Sequence, residues 1–196
     1  MLNGTGALTI SSSCNGVVSK DDLKLTGGSY TITAAKKALE ANDSIRIADG
    51  SFTLTAGTDA LHAENEDDDT LGYVYICGGD FTIRCGDDGI NGAQKSGSYR
   101  PTVEITGGEI TIVMGAGDTD GVDCNGDLII SGGTVDVTGG SGFDIDGTVS
   151  FTGGTVIVNG QTVTGIPNQM MGGMGGRGGF GGQGDFSGQG GMGRRW

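Results

Sequence analysis

The sequence predicts an all-β protein: a right-handed parallel β-helix, a solenoid with three short strands per coil and about six to seven coils. Three observations predict it. Apolar and polar residues alternate in short runs, the period of a strand with one buried face. These runs return every 21 to 29 residues along the chain. A two-residue corner, nearly always Gly-Gly, precedes one run of each period, where glycine allows a sharp bend.

The second strand of each coil sets the alignment. Its inward pairs are Leu8/Ile10, Tyr30/Ile32, Phe52/Leu54, Phe81/Ile83, Ile110/Ile112, Val135/Val137 and Val156/Val158. The corners before them are Gly27-Gly28, Asp49-Gly50, Gly78-Gly79, Gly107-Gly108, Gly132-Gly133 and Gly153-Gly154. A first strand precedes each corner: Leu23/Leu25, Ile45/Ile47, Val74/Ile76, Val103/Ile105, Leu128/Ile130 and Val149/Phe151. A third follows the second, led by Val17, Leu39, Leu61, Ile90, Val122 and Phe143. The first coil shows no first strand, which reads as truncation or a missing cap. Extra residues fall at corners (64–72, 93–101 and 115–121), where insertions build a binding face.

The expected domain is 1–167. From 168 to 196 the chain is Gly- and Met-rich with scattered Arg and no alternation, the composition of a disordered tail. Glycine makes up 43 of 196 residues but proline only 2; the regular placement of the glycines separates a repeat fold from general disorder and from collagen.

A net charge of −13 and a pI near 4.1 disfavour nucleic acid and anionic membrane as partners. No apolar run is long enough for membrane insertion. The four cysteines, Cys14, Cys77, Cys85 and Cys124, lack metal-type spacing. Cys85 and Cys124 share ladder positions with alanines and read as small core residues.

Two outer arrays point to chemistry. On the third strand and the corner before it, Asp59, Glu64, Asp87, Asp88, Asn91, Asp120, Asp123, Asn125, Asp144 and Asp146 come into vertical register. Carboxylates about 5 Å apart repel by about 3 kcal/mol at an effective dielectric of about 20. Ca2+, which takes oxygen ligands at about 2.3–2.6 Å, fits between rungs and relieves the repulsion. His62 falls on this column as an outward residue, expected to be solvated or stacked. On the first strand, Lys24, Arg46, Tyr75 and Glu104 occupy equivalent positions with Tyr73 beside them, tyrosine flanked by cations and an acid. A tyrosine ring among cations suits a sugar: the ring packs on the pyranose face and the charges bond hydroxyls or carboxylates. A glycan is expected to dock on the metal-bearing wall.

At "DDGI" (87–90), "DGVDCNGDLIISGGT" (120–134), "FDIDG" (143–147) and "NGVVSKDDLKLTGGSYTITA" (15–34) the chain resembles the secreted bacterial parallel β-helix carbohydrate-binding domain proteins. The resemblance covers roughly residues 5 to 160. It implies calcium, a fold similar to β-helix pectate lyases, an extracellular or cell-surface location, and binding of cellulose and polygalacturonate. It places Asp87, Asp88, Asp120, Asp123, Asn125, Asp144 and Asp146 at the family's acidic motif positions. At 35–42, "AKKALEAN" puts two lysines where that motif is acidic, so a metal site is expected to be lost there.

The functional expectation is a non-catalytic, calcium-dependent protein that binds plant cell-wall polysaccharide, acidic or cellulosic. One alternative is a pectate-lyase-like enzyme, with Lys36, Lys37 or Lys95 as the base that removes the proton alpha to a uronate carboxylate. The other is a structural or adhesive surface protein.

Overall fold

The computed structural model describes residues 1–65, 67–68, 71–94, 101–117 and 119–166. The expected tail at 168–196 lies outside the described residues, as do Lys95 and parts of all three corner insertions. In chain order the strands begin with β1 (Ala7–Ser12), β2 (Val17–Ser19), β3 (Asp22–Ala34), β4 (Leu39–Ala41), β5 (Ser44–Ala56) and β6 (Leu61–Ala63). Then come β7 (Tyr73–Ile76), β8 (Asp80–Cys85), β9 (Ile90–Gly92), β10 (Thr102–Ile105) and β11 (Glu109–Met114). The last are β12 (Asp120–Cys124), β13 (Asp127–Thr138), β14 (Ser141–Ile145), β15 (Val149–Val158) and β16 (Gln161–Val163).

The chain is all-β, but the right-handed solenoid of three strands per coil is not the architecture. The strands form two sheets, one of ten strands and one of six. Within the larger sheet the pairings close on themselves, β5–β7–β10–β13–β11–β8 and back to β5, a barrel-like ring of six parallel strands. The smaller sheet is parallel, in the order β14-β12-β9-β6-β4-β2.

The physical reason lies at the corners. In β3, β5, β13 and β15 the strand continues through the corner, Asp49-Gly50 in β5 and a glycine pair in the others, so the expected first and second strands are one element. A register shift between Leu25, Thr26 and Ser29 marks the irregularity that absorbs the bend, as a β-bulge does. At Gly78-Gly79 and Gly107-Gly108 the strand does break. On one side β5 therefore pairs with both β7 and β8, and β13 with both β10 and β11, and that closes the ring.

The inward ladders pair as the alignment expects. Leu8 lies opposite Tyr30, Tyr30 opposite Phe52, and Phe52 opposite Phe81. The last three stack, with centroids 5.0 Å apart for Tyr30–Phe52 and 4.5 Å for Phe52–Phe81. Leu25, Ile47, Ile76, Ile105 and Ile130 are buried behind the first-strand ladder. Leu2 bridges to Leu25 and supplies one residue of the strand that seemed missing. At the other end β16 turns back antiparallel on β15 over Val156–Val158.

One glycine of each pair is fixed by contact as well as conformation. Gly133 has φ +77°, and a Cβ there would come 2.6 Å from the Gly108 carbonyl oxygen. Gly154 stands in the same relation to Gly133, at 2.7 Å. The glycines form a column with no room for a side chain.

Candidate functional site

Strands β3, β5, β7 and β10 present their outward residues in register: Lys24 opposite Arg46, Arg46 opposite Tyr75, and Tyr75 opposite Glu104. Period-two alternation buries Leu25, Ile47, Val74 and Ile76 beneath them. The row above holds Asp22, Ser44 and Tyr73, also in register. These residues shape a cleft of about 560 Å³ lined by Lys24, Arg46, Tyr73, Tyr75, Cys77 and Glu104, among others. The structure thus brings together all four residues expected to bind sugar.

The cleft is electrostatically organised. The Arg46 guanidinium carbon lies 4.9 Å from the Tyr73 ring centroid, a cation–π arrangement. Its Nε–H donates to Ser44 Oγ at 3.2 Å. Lys24 Nζ is 3.0 Å from Asp22. The hydrogen bond from Ser44, then the Lys24 ammonium, holds the Asp22 carboxyl below the usual carboxylate range. Sequence reasoning missed Asp22 and Ser44. The signal was present: each sits two residues before a chosen cation, so alternation places it on the same face.

The smaller sheet carries the acidic column. One file reads Lys37, Asp59, Asp88, Asp120 and Ser141; the file three residues on reads Glu40, His62, Asn91, Asp123 and Asp144. Partners across the two files meet rung by rung. Lys37 Nζ is 3.3 Å from Glu40. His62 Nδ1 is 2.7 Å from Asp59. Asn91 Nδ2 donates to Asp88 at 2.7 Å and to Asp123 at 3.2 Å. Asn125 Nδ2 donates to Asp146 at 3.2 Å.

His62 was expected to be solvated or stacked. It is 7% exposed, with Asp59 2.7 Å from Nδ1 and Glu64 3.3 Å from Nε2. Lys37 and His62 thus supply nitrogen partners to the acids at two rungs, and at the next Asp88 meets the Asn91 amide instead. The carboxylates respond. Burial, with Asp59 and Asp87 nearby, raises Asp88 to about 6 against the hydrogen bonds from Asp120 N–H and Asn91. Burial, with Asp88, Asp120, Asp144 and Asp146 around it, raises Asp123 to about 8.

This column fits a hard cation. Oxygens of Asp59, Asp87 and Asp88 lie within 4.8 Å of one another. The buried oxygens Asn91 Oδ1, Thr119 Oγ1 and Ser141 Oγ have no hydrogen-bond partner, and such orphans call for an explanation. The donors are carboxylate, amide and hydroxyl oxygens, the set calcium prefers.

The two arrays do not share a site. None of the residues expected to ligate metal lines the cleft. The outward residues of the first strand and of the third belong to different sheets. Cys85 and Cys124 are buried, and burial pushes each thiol up to about 12. No helix among the described residues is long and apolar enough to cross a membrane.

Residues 1–164 match the family described as carbohydrate-binding domain-containing protein. No curated protein and no solved structure matches the chain.

Proposed function

This chain belongs to the family of carbohydrate-binding domain-containing proteins, and from that premise we propose a calcium-dependent polysaccharide-binding protein that docks its glycan in the Arg46–Tyr73–Tyr75 cleft. The observation that carries this reading is the Arg46 guanidinium set over the Tyr73 ring beside Tyr75 and Lys24 in a cleft of about 560 Å³. Aromatic faces pack on pyranose rings, and the flanking cations bond hydroxyls or carboxylates. Plant cell-wall polymers, polygalacturonate or cellulose, are the ligands of this reading. The binding is non-catalytic. As for the lyase alternative, Lys37 faces Glu40 on the smaller sheet and does not line the cleft.

Asp88, Asn91, Asp120 and Asp123 are the residues that would hold calcium, with Asp87, Asp144 and Asp146 adjoining. Bound there, calcium would supply positive charge beside Asp88 and Asp123, whose carboxyls burial and neighbouring acids otherwise drive toward protonation. Because these residues stand apart from the cleft, the calcium dependence of glycan binding acts through the stability of the stacked repeats. An extracellular or cell-surface location completes the proposal: the polymers lie there, and weak calcium sites are a mark of extracellular modules.

Calorimetric titration with oligogalacturonate, in calcium and in chelator, tests the reading. The expected result is saturable binding that Tyr73→Ala weakens about tenfold or more, the size of a lost aromatic contact. Equal binding by Tyr73→Ala and the wild type removes the cleft as the site.

A further inference from the structure

Ser44 is fully buried, at 0% exposure, yet it is a polar residue on the row that faces the cleft. Its hydroxyl donates to Asp22 Oδ1 and accepts the Nε–H of Arg46 at 3.2 Å. Asp22 is held in turn by Lys24 at 3.0 Å. Arg46 is therefore fixed at two points: its Nε by Ser44 and its planar face by the Tyr73 ring at 4.9 Å. A guanidinium has five N–H donors. One is spent on Ser44, and among the described residues no ion pair engages the rest. What remains is the outer fork, the geometry that binds a carboxylate through two parallel hydrogen bonds.

We propose that Ser44 and Asp22 are positioning residues that lock Arg46 as a carboxylate fork, and that this lock sets the preference of the cleft for acidic over neutral glycan. The inference rests on the reading of the cleft as the glycan site. An unheld arginine loses side-chain freedom when it binds; one already held has lost it beforehand, and the difference appears as affinity. A neutral sugar gains less from the fork: its hydroxyls accept hydrogen bonds from the guanidinium but carry no charge and no rigid pair of oxygens at the spacing of a carboxylate. The buried Ser44 hydroxyl fits this role. Packing alone would be served by alanine with no polar group to desolvate, whereas an oriented relay from Asp22 to Arg46 needs a group that donates on one side and accepts on the other.

Affinity electrophoresis through polygalacturonate and through hydroxyethylcellulose tests the inference, with melting temperature measured for each variant. The wild type is expected to be retarded more by the acidic polymer. Ser44→Ala is expected to lose about tenfold in affinity for that polymer, the loss from one charge-assisted hydrogen bond, with a clearly smaller loss on hydroxyethylcellulose. Ser44→Thr, which keeps the hydroxyl, is expected to recover the preference, and Arg46→Lys to abolish it. Should Ser44→Ala fail to fold, Asp22→Asn carries the test, with the same selective loss expected. Equal losses on both polymers, or no loss on the acidic one, overturn the lock. If the wild type binds both polymers equally, the inference falls while glycan binding in the cleft stands. If it binds neither, the reading of the cleft falls and the inference falls with it.

Discussion

The Lys37 ammonium lies 3.3 Å from the Glu40 carboxylate, in the two positions that Asp59 and His62 occupy one repeat unit later. The pair fills with a side-chain cation the place that further along the column falls to Asp88 with Asn91. A stack of acids is thus neutralised in two ways: by built-in nitrogen at its early rungs and, in the proposed reading, by calcium at its later ones.

Lys37→Asp should convert one kind of rung into the other. Without calcium the variant places a carboxylate against Glu40 and beside Asp59, and it should melt below the wild type by an amount equivalent to about 1–3 kcal/mol. With millimolar calcium much of that loss should return, and titration should register additional bound ion. A variant whose melting temperature ignores calcium would show that the column does not recruit the metal.

Stability of the metal-free protein should fall as pH rises. Asp88 is raised to about 6 and Asp123 to about 8, both from the ordinary value of 3.8, so the folded state holds these protons more tightly than the unfolded chain. Their contribution is complete below about pH 4 and drains away as pH climbs through 6 and then 8. The slope is at most about 1.4 kcal/mol per pH unit for each proton. Thermal melts in chelator from pH 5 to 8.5 should show the decline, and calcium should flatten it. Asp123→Asn should remove its upper portion.

Gly133→Ala should cost about 1–3 kcal/mol through its left-handed backbone, plus the contact its methyl would make with the Gly108 carbonyl, 2.6 Å away. Gly165, with nothing within 4 Å of a would-be Cβ, is the control, and its alanine variant should melt with the wild type. Denaturant unfolding of both would settle the contrast.

The inward ladders were legible because alternation and glycine spacing act locally: Tyr30, Phe52 and Phe81 could be aligned before any contact was known. The continuity of β3 and β5 through their glycines was not, since whether a corner breaks a strand depends on hydrogen bonds from the neighbouring repeat. Closure of the six-strand ring follows from that and was equally hidden. In the cleft, Lys24, Arg46, Tyr73 and Tyr75 were found by charge and aromaticity. Ser44 escaped because its role comes from burial between Asp22 and Arg46, which composition does not reveal. His62 was placed on the right column, but its burial was not legible: an outward position reads as open unless acids on both sides enclose it.

The backward turn of β16 against β15 has a consequence for self-assembly. Parallel rungs are templates, each offering its edge to a copy of itself, and an unguarded edge invites fibre growth. Over Val156–Val158 that edge is taken by a segment of opposite polarity, so a further unit in the same sense finds no seat there. At those three residues the last described strand acts as a stopper for the larger sheet.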